Sequence, residues 1–163
     1  MNETVVDSAD FRAAMSQFAS GVTIVTTRDG VPHPMGFTAS AFCSLSLDPP
    51  LVLVCLDKRA ECYDAFANAT TMGISILAAG QDAIAMRFAS RGADKFGPGG
   101  MTDGKLTGNP LVNDATAQLE CEIVDRPVGG DHTILVGRVM HAAVIDDPPM
   151  IHYNRKFGLF SQP

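Results

Sequence analysis

A run of hydroxyl side chains, a histidine at a turn and a few cationic residues are what this chain offers to chemistry. Thr38, Ser40, Ser44 and Ser46 alternate with Phe37, Ala39, Ala41, Cys43 and Leu45. A strand through 37–46 therefore turns the hydroxyls to one side, with Phe42 the single exception. A face of small donors and acceptors is either a plain solvent face or a wall with room for something to lie against it. Lys58, Arg87 and Arg91 are either solvated charges or groups that neutralise phosphate. His132 follows Gly129-Gly130-Asp131 at the start of a strand and is either a turn residue or a positioned imidazole. Tyr153 and Phe157 lie four residues apart and either pack or offer a stacking surface.

Other chemistries lack their residues. No glycine fingerprint for a dinucleotide follows a first strand, and no phosphate-binding GxxxxGK[ST] loop or GxSxG elbow occurs. Gly97-Pro98-Gly99-Gly100 is interrupted by proline and has the wrong spacing. His33, His132, His141 and His152 are scattered, so no metal is expected. Cys43, Cys55, Cys62 and Cys121 form no CxxC pair and read as reduced thiols, which fits a cytoplasmic location. The net charge of −6 argues against nucleic acid and against a polybasic membrane contact. No apolar run approaches the roughly 18 residues of a membrane span, and the acidic start is unlike a signal peptide.

The elements that must position these residues can be read in order. Asp7 or Ser8 caps a helix whose Phe11, Ala14, Met15, Phe18 and Ala19 form one apolar stripe, ended by Ser20-Gly21. Val22 to Thr27 is a strand, Asp29-Gly30 a hairpin turn, and 37–46 the long alternating strand that Pro49-Pro50 stops. Leu51 to Leu56, apolar on both faces, is a central strand. Glu61 to Asn68 and Asp82 to Ser90 are helices, the second with Ile84, Ala85 and Phe88 inward. Thr71 to Leu77 is a strand between them. Residues 92–110 form a glycine-rich loop. Ala117 to Arg126 alternates Leu119, Cys121 and Ile123 against an outward Gln118, Glu120 and Glu122. His132 to Ile145 is a long strand with a bulge or bend at Gly137. The chain of 163 residues shows no repeat or linker, so one domain over 1–163 is expected. Roughly six or seven short strands without βαβ alternation favour a mainly β antiparallel barrel with a few short flanking helices.

Taken together the segments resemble the short-chain flavin reductases, the reductase components of two-component flavin-dependent monooxygenases, which share the FMN-binding, Greek-key split β-barrel. The resemblance runs in order over nearly the whole chain. It is carried by Phe11-Arg12-Ala13-Ala14-Met15 with Phe18 to Thr26, by Gly36-Phe37-Thr38-Ala39-Ser40-Ala41-Phe42 with Ser46 to Val52, and by Arg87-Phe88-Ala89 and Asp94-Lys95-Phe96. Leu119-Glu120-Cys121 and Gly130-Asp131-His132-Thr133-Ile134 complete it.

The resemblance implies an NAD(P)H:flavin oxidoreductase that passes hydride from NADH, less readily NADPH, to FMN or FAD. It also implies a homodimer and a separate monooxygenase that receives the reduced flavin. Gly36 to Ser40, that is Gly36, Phe37, Thr38, Ala39 and Ser40, fall on the flavin-binding strand. Cys55, Leu56, Asp57 and Lys58 follow on its neighbour. Cys62 stands near the phosphate, where many relatives carry Ser or Thr, and Ser75 stands where many carry Asn. Phe88, Ser90 and Arg91 fall at the phosphate end, His132 near the nicotinamide, and His152, Tyr153 and Arg155 in a segment that covers the nicotinamide nucleotide. Hydride transfer needs stacking and orientation and no side-chain nucleophile. Two other readings remain at this point: a flavin-binding or flavin-shuttling module without activity, and an interaction barrel that binds no flavin.

Overall fold

The computed structural model describes residues 6–161. Helix α1 (Ser8–Met15) starts as expected, with the Asp7 carboxylate accepting from Ala9 N at 2.6 Å. Its apolar stripe does not become a core face. The helix stops at Met15 and buries no residue. Phe11 and Met15 are more than half exposed, and Phe18 is 76% exposed.

Strand β1 (Ser20–Gly21) leads into β2 (Thr23–Thr27), which is buried on both faces. Gly30 takes a φ of 66° in the Asp29-Gly30 turn, and β3 (Met35–Ala39) returns antiparallel to β2. Asp29 fastens the turn by accepting from the backbone N–H and hydroxyl of Thr70, which hold its carboxyl below the ordinary range.

The long alternating segment is two strands, not one. β3 ends at Ala39, Ser40-Ala41 breaks the ladder, and β4 (Phe42–Ser46) resumes in the opposite phase. Phe37 and Ala39 are buried. Beyond the break Phe42 packs against the core, while Cys43 and Leu45 turn outward. An offset of one residue reverses which side faces inward, and Phe42 marks it.

The remaining elements are β5 (Leu51–Asp57), α2 (Tyr63–Asn68), β6 (Thr71–Ile76), α3 (Asp82–Ala89), β7 (Met101–Asp103), β8 (Pro110–Val112) and β9 (Ala117–Asp125). After them come β10 (Val128–Gly129), β11 (His132–Val144), β12 (Met150–Tyr153) and β13 (Lys156–Leu159). The main sheet runs β3-β2-β6-β9-β11-β5-β4, with every neighbouring pair antiparallel. Its two ends, β3 and β4, are consecutive in the chain. The sheet therefore curls until its edges meet at Ser40-Ala41, where Cys55 N donates to Ala41 O at 3.0 Å. That junction is the seam of the split β-barrel expected from the sequence.

Three local expectations change. β5 has a neighbour on each side, but only Val52, Val54 and Leu56 are buried; its other residues are half-buried. The 92–110 loop contains β7, which pairs with β8. Glu120, expected on the solvent face of β9, is 1% exposed because residues 104–107 close over it. Gly137 does sit at a register shift, and a Cβ there would lie 2.5 Å from Met72 Cε.

The hydrophobic residues form two clusters. One includes Phe37, Val54, Leu56, Phe66, Met72, Ile74 and Leu135, with Phe37 and Phe66 edge to face at 5.2 Å. The other gathers Ile24, Leu77, Ala85, Phe88, Val112 and Met150, and seats α3 against β2. Each fully buried Phe or Ile contributes about 1.5–3 kcal/mol.

Candidate functional site

The seam opens into a groove of about 340 Å³. One wall is the end of β3 with the break that follows: Phe37, Thr38, Ala39, Ser40 and Ala41. The other is the end of β5, Cys55, Leu56 and Asp57, with His132 beside Asp57 in register on β11. Ala60, Glu61 and Cys62 before α2 and Phe88 to Arg91 at the C-terminal end of α3 close the groove, together with Lys95. The site exists because two edge strands separate there; a closed barrel would fill the same space with its own ladder.

The polar groups divide by what they already hold. Thr38 Oγ1 donates to Ala85 O at 2.6 Å, so this hydroxyl fastens β3 to α3. Ser90 Oγ donates to Met86 O at 2.8 Å. Ser40 is exposed, and its hydroxyl has no partner among the described residues. Arg91 Nη2 donates to Arg59 O at 2.7 Å. Asp57 accepts from Arg59 Nε at 3.1 Å, Nη2 at 2.8 Å and N at 2.8 Å, which holds its carboxyl well below the usual carboxylate range.

His132 Nδ1 lies 2.7 Å from Asp131 Oδ1. That contact lowers the Asp131 carboxyl and leaves Nε2 as the ring atom without a partner among the described residues. Burial pushes the Cys62 thiol up to about 11, so it stays protonated at neutral pH and is no nucleophile. Among the described residues no three His, Cys, Asp or Glu side chains converge to hold a metal ion, and no helix is long and apolar enough to cross a membrane.

The sequence profile of the flavin reductase-like domain matches residues 15–161. The chain belongs to the flavin reductase-like family. It is 40% identical over 154 residues to an NADH:riboflavin 5′-phosphate oxidoreductase of Streptomyces pristinaespiralis, covering 93% of this chain and 88% of the relative. It is 40% identical over 156 residues to the reductase component of a 4-nitrophenol 4-monooxygenase/4-nitrocatechol 2-monooxygenase of Rhodococcus opacus, covering 95% and 82%. Its fold is similar to that of the NADH:FAD oxidoreductase of Streptomyces globisporus C-1027, solved with NAD and FAD fragments. There the TM-score is 0.89 at 37% identity, with 96% of each chain covered.

Within this flavin reductase-like fold, most residues that the resemblance assigns to the site converge on the groove, and Gly36, Lys58, His152, Tyr153, Arg155 and the candidate Arg87 do not. Gly36 lines the adjoining cavity. A Cβ there would lie 2.8 Å from both Phe88 Cε1 and Val25 O, so glycine is needed for the packing of α3. Lys58 is drawn away, its Nζ donating to Gly130 O at 2.7 Å. His152 and Arg155 line a separate apolar groove of about 530 Å³ beside α1, which meets the first at Ser40, Ala41 and Cys55. Tyr153 lines neither groove; its hydroxyl donates to Gln17 Oε1 at 3.0 Å. Arg87 donates to Gly99 O, outside the groove.

Sequence reasoning missed Ala41, Ala60, Glu61, Ala89 and Lys95. Lys95 had a signal, the Asp94-Lys95-Phe96 motif, but its role depends on a fold that brings it to Gly36. Ala41 and Ala89 also stand in quoted motifs, Gly36 to Phe42 and Arg87-Phe88-Ala89, whereas Ala60 had no signal, because it serves the groove by being small.

Proposed function

We propose that this chain is an NADH-dependent flavin reductase that supplies reduced flavin to a separate monooxygenase component. The observation that carries the reading is the groove at the barrel seam, with a wall of small side chains, an imidazole with an open Nε2 and a cation, Lys95, short of partners. These residues suit a flavin. Phe37, Ala39, Ser40 and Ala41 leave flat space beside β3, and the Ser40 hydroxyl is free to bind polar atoms of the ligand. Leu56 and Cys55 bound the ring from β5, and Lys95 and Arg91 supply positive charge for phosphate.

The flavin, when bound, supplies the hydride acceptor. The protein's part is orientation. Asp131 holds the His132 ring so that Nε2 can position a nicotinamide against the groove. His152, Tyr153 and Arg155, on the hairpin of β12 and β13, stand beside the same opening as elements of a nucleotide cover. No side chain needs to gain or lose a proton at a carbon centre. An open groove suits a flavin that must leave for an oxygenase.

The functional unit is a homodimer in this reading. Phe11, Met15 and Phe18 present an apolar face, and Leu47 is 91% exposed, more than a small monomer normally leaves in water. A cytoplasmic location agrees with the four free thiols and with NADH as donor.

The test is to mix the purified protein with FMN or FAD and with NADH or NADPH, and to follow absorbance at the nicotinamide band. Oxidation that requires both flavin and NADH is expected. Flavin binding without oxidation would leave a flavin carrier, and no flavin binding would leave an interaction barrel. Light scattering on the same sample is expected to give the mass of two chains, and Phe18→Asp the mass of one.

A further inference from the structure

The seam groove continues past Lys95. A second cavity of about 350 Å³ shares Gly36, Glu61 and Lys95 with it. His33 and Pro34 form one wall, and Ala93 and Phe96 the other. The two spaces together are a single run of binding surface with Lys95 at the joint.

Lys95 is short of partners for its burial. Its side chain is 15% exposed, and its Nζ lies 3.4 Å from Gly36 O and 4.0 Å from Glu61 Oε2. An ammonium carries three donors, and these contacts lie at or beyond the limit of a hydrogen bond. A largely buried cation so placed favours an anion at the joint. Past the joint the sign of the wall changes. Asp94 adds a second carboxylate to that of the shared Glu61, while Phe96 and Pro34 are flat and apolar. Such a space disfavours further phosphate. It suits a neutral nucleoside, whose hydroxyl and amino groups donate to carboxylates and whose base lies on an aromatic or proline face.

The order along the run is thus ring, anion, nucleoside. FMN ends at the anion, whereas FAD continues through a diphosphate to adenosine. Relatives of comparable similarity are named for riboflavin 5′-phosphate and for FAD, so similarity does not choose between them. We infer that this chain takes FAD in preference to FMN, with its diphosphate at Lys95 and its adenosine half between His33-Pro34 and Ala93-Phe96. The inference rests on the flavin site proposed above.

The test is titration of the whole protein with riboflavin, FMN and FAD, read by flavin fluorescence in the absence of NADH. Wild type is expected to bind FAD about tenfold or more tighter than FMN. Adenosine is expected to weaken FAD binding and leave FMN binding unchanged, which tests the second cavity without a variant. Ala93→Phe, which fills that cavity, is expected to bring FAD down to the affinity of FMN, with the KM for NADH within about twofold. Lys95→Ala is expected to weaken FMN and FAD about tenfold and to spare riboflavin. Equal affinity of wild type for FMN and FAD overturns the inference and leaves the flavin site standing. An Ala93→Phe variant with an unchanged FAD to FMN ratio, or with a raised KM for NADH instead, does the same. Failure of all three flavins to bind overturns the flavin site itself.

Discussion

The Glu120 clasp and the seam groove are both lined by polar residues, and they differ in how fully those residues are satisfied. In the clasp Glu120 accepts from Leu106 N at 2.9 Å, Thr107 N at 2.7 Å and Thr107 Oγ1 at 2.9 Å. Asn109, also buried, accepts from Arg28 N at 2.8 Å and donates to Thr71 Oγ1 at 3.1 Å. Gly104 packs so closely that a Cβ would lie 2.5 Å from Glu120 Oε2. In the groove the Ser40 hydroxyl has no partner among the described residues, and Lys95 holds only long contacts. Buried polar groups that find all their partners fix a loop. Polar groups that do not find them are held ready for something else.

The contrast can be broken most severely at Glu120. Glu120→Ala leaves two part-buried backbone N–H groups without their acceptor and is expected to cost about 2 kcal/mol of stability, read by urea unfolding. Flavin affinity of the folded fraction should not move. The same site sets a pH dependence. Burial raises the Glu120 carboxyl, but the hydrogen bonds from Thr107 and Leu106 lower it further, and the net position is below its ordinary 4.5. A carboxyl depressed on folding contributes stability above its unfolded value and loses it as pH falls through the folded one. Wild type should therefore lose stability as pH drops below about 4.5, and Glu120→Gln should flatten that slope.

His132→Ala tests the groove. It is expected to lower kcat/KM for NADH about 100-fold through lost positioning, with flavin Kd within about twofold. Unchanged steady-state kinetics would remove His132 from the site.

The smallest effects sharpen the comparison most, because two neighbouring hydroxyls should behave in opposite ways. Thr38→Val removes the bond to Ala85 O and is expected to cost about 1 kcal/mol of stability. Ser40→Ala should change stability by less than about 0.5 kcal/mol and weaken flavin binding about threefold to tenfold. If both variants lose only stability, the β3 wall is structural.

Much of the fold was legible in the chain. Local signals carry it: the Asp7 cap, the Asp29-Gly30 turn, the β-branched run of β2, the bulge at Gly137 and the alternation of Cys121 and Ile123 on β9. The site was legible in part. The order of motifs pointed to β3, β5 and His132, and these do meet. The hydroxyl pattern overstated the wall, because alternation does not reveal that Thr38 spends its hydroxyl on Ala85 or that the phase reverses at Ser40-Ala41.

By itself, then, the sequence determined the elements, their order, the family and the residues from which a site is made, since propensity, turn chemistry and periodicity act over a few residues. Only the tertiary structure decided that β3 and β4 lie at opposite ends of the sheet path, so that the barrel closes where the chain breaks. It also decided that Glu120 is buried, that the α1 stripe faces outward and that Lys95 joins two cavities. Each of these depends on segments distant in the chain coming together, and no local pattern records the partner across such a gap.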